Sequence, residues 1–172
     1  NSNTGAAIFA VNYFMITASH LHAMVVHFPI ALLIVGFLSA VIALFNKKPF
    51  FNLAAFYLLL LGTAGAIAAY LAGNAAGEGM EGGTLGKAME LHEQAATIAL
   101  WLTCITAVFY LAVAVFKYKE GWVKFARIIL FAVTIAAIAR TGYLGGQLVY
   151  KHGAGVELAL PDFSNPGIDK DE

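Results

Sequence analysis

Apolar positions along the chain fall into four long runs, Met24 to Phe45, Phe51 to Ala76, Ala88 to Phe116 and Trp122 to Tyr150. Each exceeds the roughly 20 residues that a helix needs to cross a bilayer. The breaks between them, Lys47-Lys48-Pro49, Gly77 to Lys87 and Lys117 to Gly121, are short and polar or glycine-rich, and short connections make consecutive helices antiparallel neighbours. The pattern therefore predicts an all-α integral membrane protein, a four-transmembrane-helix up-down-up-down bundle over residues 21–155. Gly5 to Thr17 adds an apolar stretch too long to join the first run in one straight crossing. It reads as part of an N-terminal interfacial segment, residues 1–20, with a short extra span as the alternative. Residues 156–172 contain Pro161, Pro166 and scattered acids and read as a surface C-terminal tail.

Composition agrees with a bilayer environment. Of 172 residues, 60% are hydrophobic and 12% charged, against about 25% charged in an average soluble domain. Ten basic and ten acidic residues cancel, so no general field attracts nucleic acid or an anionic surface, and no nucleic-acid partner is expected; the lipid bilayer is the first partner and any other must be recognised locally. The charges are sorted by face. Lys47, Lys48, Lys117, Lys119, Lys124 and Arg127 fall at one membrane face, and Glu78, Glu81, Glu90, Glu157 and Asp162 at the other. By the positive-inside rule the lysine face is cytoplasmic, which puts both termini on the periplasmic side. The single cysteine, Cys104, lies in an apolar run, and no Cys-x-x-Cys-His sequence occurs, so covalently attached haem is excluded. The first residue is Asn1, not a methionine, which leaves room for a preceding segment.

The chemistry lies in the histidines. His20, His22, His27, His92 and His152 all fall at the face opposite the lysines. His22 and His27 are five apart, about 140° round a helix, so they do not form one ligand face, and His27 is expected to pair with His92 across the slot between the diagonal first and third helices. The second helix carries Gly62, Gly65, Ala66, Ala69, Ala72 and Gly73, and the fourth Gly142, Gly145 and Gly146. Such residues either bring helices close or leave room for a flat ring. Pro29 is expected to stop or tilt the start of the first helix. On the fourth helix Arg140, Tyr143, Gln147 and Tyr150 recur at three- and four-residue spacing as a polar stripe. Arg140 lies about 15 Å along the axis from Tyr150 at 1.5 Å per residue, and a charge that deep is expected to face a partner or cavity.

A bundle core with one histidine from each of two facing helices is an arrangement that holds iron in six-coordinate b-type haem. His27 and His92 are the candidate metal ligands, with His22 and His152 as outer cofactor-binding candidates. Arg140 and Tyr143 are the groups available to a propionate or a quinone oxygen. Neutral imidazole equally ligates other divalent metals, with Glu78, Glu93 and Met24 near enough in sequence to join.

At these residues the chain resembles a bacterial membrane family, domain of unknown function 2231. The resemblance runs from about Leu21 to Val156, through His22-Ala-Met-Val-Val-His27-Phe28-Pro29-Ile30, His92 and Gly145-Gly-Gln-Leu-Val-Tyr-Lys-His152-Gly-Ala-Gly-Val156. The family's more usual His-Pro is His22-Ala23 here. The resemblance implies a multi-pass protein of the bacterial inner membrane, and similar domains occur beside cytochrome-type modules. The reading that follows is a membrane b-type cytochrome-like electron carrier or subunit, not a self-sufficient enzyme, serving a larger respiratory or other redox complex. Its alternatives are a non-catalytic accessory subunit of a membrane complex and a histidine-lined metal or proton transporter.

Overall fold

The computed structural model describes residues 17–78, 83–117 and 121–156, and all regular structure within them is helical. The interfacial segment expected within residues 1–16 and the tail expected beyond residue 156 lie outside the described residues. The four helices are α1 (Ala18–Phe45), α2 (Pro49–Gly77), α3 (Gly83–Val115) and α4 (Gly121–His152). With 28 to 33 residues each, they rise about 42 Å or more and overrun a hydrocarbon core of roughly 30 Å. The fold is the four-helix membrane bundle that the apolar runs predict.

The helices begin earlier than the apolar runs. Thr17 caps α1, its hydroxyl accepting the His20 backbone N–H at 3.3 Å, so the helix starts six residues before Met24. Pro49 starts α2, where its missing N–H costs nothing. At the far end, Gly153 takes a φ of 65°, which lets the Ala154 N–H turn back to the Leu148 carbonyl at 3.0 Å and closes α4. Hydropathy marks the hydrocarbon crossing, whereas helical hydrogen bonding continues through the headgroup layer until a cap ends it.

Pro29 does not stop the helix. It lies inside α1 and is buried, packed on Gly65 of α2, where an added Cβ would come within 3.3 Å of its ring. A membrane helix tolerates the lost backbone bond because neighbouring helices cover the freed carbonyl.

The bundle is two close hairpins joined more loosely. α1 runs along α2 with Gly36 opposite Leu58, Leu33 opposite Gly62, Pro29 opposite Gly65 and His22 opposite Gly73. Gly62 is the tightest of these, since a Cβ there would come within 2.6 Å of Leu33 Cγ, so the small residues of α2 serve close approach. α3 and α4 are tied by threonines: Thr106 and Thr134 share a hydroxyl–hydroxyl bond of 2.7 Å, and Thr134 also reaches the Leu102 carbonyl at 3.3 Å. Between the hairpins, α2 meets α3 and α4 meets α1 more sparingly, and among the described residues neither diagonal pair brings its backbones close. Tyr70 of α2 bonds Thr97 of α3 at 3.0 Å across that seam.

Leu33, Ala40, Ala55, Leu59, Ala107, Tyr110 and Phe131 form the core. All lie in the halves of their helices nearer the lysine face. Phe131 is its centre, meeting Phe37 and Tyr110 edge-on at 5.6 and 5.8 Å between centroids. Aromatic packing around Phe131 thus fills the bundle interior on the lysine side of its middle.

Candidate functional site

At the histidine end each hairpin repeats the same local structure. In the first, His22 of α1 bonds through Nδ1 to the Ala69 carbonyl of α2 at 2.8 Å, and its ring lies over Gly73, four residues further on, where a Cβ would come within 2.9 Å of Cε1. In the second, His92 of α3 bonds through Nδ1 to the Thr141 carbonyl of α4 at 3.1 Å. Its ring lies over Gly145, again four residues further on, where a Cβ would come within 3.0 Å of Cε1. The His-to-carbonyl separations are 47 and 49 residues, so the two hairpins match almost residue for residue around their histidines.

The carbonyl partner decides the tautomer. An acceptor-only oxygen requires Nδ1 to carry the proton, which leaves the Nε2 lone pair free in the neutral ring. Among the described residues Nε2 of His22 and of His92 makes no hydrogen bond, and neither atom is a sealed, unsatisfied one. On α4, Gly142 and Gly146 have nothing within 4 Å of an added Cβ, so open space borders this level. Gly142 and Gly146 therefore leave room, in contrast to Gly145 and to Gly62, Gly65 and Gly73 of α2.

The other predicted site residues sit apart from this pair. His27 is exposed and turns its Nδ1 back to the Ala23 carbonyl of its own helix at 2.6 Å. It follows Met24 and precedes Phe28, 64% and 71% exposed, on the outer side of α1. The reason is angular. His22 is seven residues before the buried Pro29 and shares its face, whereas His27 is two before it and about 200° round. The structure thus turns His22, and not His27, inward onto the neighbouring helix of its hairpin, as it does His92. His152 is half-buried in the last turn of α4, and His20 is exposed with Nδ1 3.1 Å from Thr17 Oγ1.

Arg140 and Tyr143 are exposed. Arg140 is nine residues after the core residue Phe131, about 180° round α4, so its stripe faces out of the bundle and not towards the His22–His92 slot. Glu78, Glu93 and Met24 are exposed as well. No group of three or more His, Cys, Asp or Glu side chains that could hold a metal ion forms among the described residues. The polar residues that sequence reasoning passed over are Thr103, Thr106 and Thr134, fully buried and bonded to carbonyls one turn earlier at 2.7, 2.7 and 3.0 Å. Their seven-residue spacings from Ala96, Ala99 and Thr141 respectively follow the inward faces of α3 and α4.

A family model described as a predicted membrane protein, DUF2231, matches residues 18–158. The chain belongs to this family. Within it, the matched segment of this DUF2231 protein takes in all four spans and all four histidines from His22 to His152. No curated protein and no solved structure matches the chain.

Proposed function

We propose that this DUF2231 protein is a b-type cytochrome-like electron carrier or subunit of the bacterial inner membrane, with haem held between His22 and His92. One observation carries the reading: two imidazoles on diagonal helices, each fixed by an Nδ1–H bond to a backbone carbonyl, each leaving its Nε2 lone pair free. Haem iron needs two such axial nitrogens and takes its other four from the porphyrin. A carbonyl bond to the second nitrogen orients a ligating imidazole and raises its basicity. The glycines fit the same purpose, since Gly73 and Gly145 admit the ligand rings and Gly142 and Gly146 leave space beside them. A structural zinc site, by contrast, takes four protein ligands and a catalytic one three, and the described residues assemble no such set.

The orientation with the histidine face and both termini periplasmic rests on the basic residues at the opposite face. Haem near that face suits exchange of electrons with a periplasmic or membrane-embedded partner. A larger redox complex as partner is supported by Arg140. An exposed guanidinium in the interior of a span is costly in hydrocarbon, and a neighbouring subunit with an acceptor group would relieve it.

That same residue favours a second reading, an accessory subunit whose histidines only staple each hairpin. The transporter reading has less support, because the aromatic packing of Phe37, Tyr110 and Phe131 fills the bundle interior between the histidine end and the lysine face. Visible absorption of the protein purified from cells supplied with haem separates the first two readings: a Soret band that His22→Ala or His92→Ala removes supports the cytochrome, and its absence in the wild-type protein leaves the accessory subunit.

A further inference from the structure

The opposite end of the bundle holds a concavity with its own chemistry. It has a volume of about 400 Å³ and lies between α2, the end of α3 and the start of α4, lined by Asn52, Phe56, Tyr57, Tyr110, Lys117 and Arg127 among others. That volume is within the roughly 300–1,000 Å³ range of small-molecule sites. Among the described residues no acidic side chain lines it, and two cations, Lys117 and Arg127, converge there.

Arg127 is held in position. Its guanidinium carbon lies 4.1 Å from the Tyr110 ring centroid, a cation–π contact, and the Tyr110 hydroxyl donates to the Arg127 carbonyl at 3.5 Å. Yet its Nε is buried and has no hydrogen-bond acceptor among the described residues. A buried donor without an acceptor costs desolvation energy that a ligand can return. Lys117 ends α3 with a φ of 52°, a left-handed conformation uncommon for a residue with a side chain, and is exposed at the rim. Arg127 is about 9 Å inside the first residue of α4, so the cavity leads from the headgroup level into the apolar layer.

We propose that this cavity binds the phosphate of an anionic phospholipid, drawn from the leaflet at the lysine face. A phosphodiester supplies the acceptor that Arg127 Nε lacks and pairs with the planar guanidinium fork. Lys117 meets the same charge from the rim, with Tyr57 and Asn52 as further polar groups. The largely apolar remainder, Phe56 included, suits the glycerol and upper acyl chain. Basic pockets between membrane helices at the cytoplasmic side are the type of site that takes such headgroups. The site is independent of His22 and His92.

Native mass spectrometry of the full chain in detergent tests this, with phosphatidylglycerol and phosphatidylcholine of matched acyl chains titrated separately and inorganic phosphate as competitor. The expected result is one retained phosphatidylglycerol, in preference to phosphatidylcholine and not displaced by millimolar phosphate. Lys117→Gln should weaken that binding about five-fold, the worth of one cation near a membrane surface, and Arg127→Gln by more. Where Arg127→Gln loses helical content, Arg127→Lys replaces it, keeping the charge but losing the fork, and should still bind more weakly than wild type. Equal retention of the two lipids, or variants that bind as wild type does, overturns the proposal. Displacement by inorganic phosphate assigns the cavity to a free anion and overturns its lipid occupant.

Discussion

His92 lies so close over Gly145 that a Cβ on that glycine would come within 3.0 Å of the imidazole Cε1. The contact lets the ring sit against the α4 backbone and reach the Thr141 carbonyl. Gly145→Ala should therefore push His92 away and break that bond, at about 1–3 kcal/mol for an overpacked contact. Gly142→Ala has open space around it and should leave the fold intact. Thermal unfolding of the two variants in the same detergent checks the difference, and haem content should fall in Gly145→Ala. Gly73→Ala should behave like Gly145→Ala, because the His22 ring lies equally close over it.

The hydroxyl pair Thr106–Thr134 links α3 to α4 at 2.7 Å. Interhelical hydrogen bonds in membranes average about 0.6 kcal/mol and reach about 1.7. Each of Thr106→Val and Thr134→Val should cost an amount in that range, and the double variant less than the sum, because both remove one shared bond. Reversible unfolding in mixed micelles gives the comparison. Additive losses would mean that the threonines contribute only through their own helices.

Arg140 is exposed on the face of α4 turned away from Phe131. If a partner subunit covers it, Arg140→Ala should shift the native complex to smaller size on gentle detergent extraction without altering the helical content of the chain. Blue-native electrophoresis of wild type and variant from the source membrane makes the measurement. An unchanged complex size would remove this support for a partner at that face.

The spans were legible because four uninterrupted apolar runs have no soluble alternative, and the short breaks set the antiparallel order. The histidine end was legible for the same reason, since chain alternation brings residues 22, 92 and 152 to one face. The identity of the inward pair was harder to read. The five-residue spacing of His22 and His27 excludes that both face inward, but the choice depends on what lies opposite. The signal is a seven-residue series: His22, Pro29 and Gly36 on α1 repeat the spacing of His92, Ala99 and Thr106 on α3, and the buried members of each fix the histidine's direction. His27 belongs to neither. Arg140 was legible as an expensive deep charge, but its direction depends on which residues of α4 are buried, and Val123, Phe131, Thr134 and Leu148 are the ones that are.

Two kinds of glycine also look alike in sequence. Gly62 and Gly65 face the bulky Leu33 and Pro29 across a tight hairpin, whereas Gly142 and Gly146 face open space. Only the register of each helix against its neighbour separates close packing from room for a ligand. The buried threonines were overlooked because a hydroxyl bonded one turn back in its own helix is compatible with an apolar run.

The central claim, haem held by His22 and His92, is tested most directly by the optical and electron paramagnetic resonance spectra of the purified protein and three histidine variants. The account predicts a bis-histidine b-type spectrum in the wild type, its loss or conversion to a singly ligated form in His22→Ala and in His92→Ala, and its retention in His27→Ala. A spectrum abolished by His27→Ala but untouched by His22→Ala would contradict it.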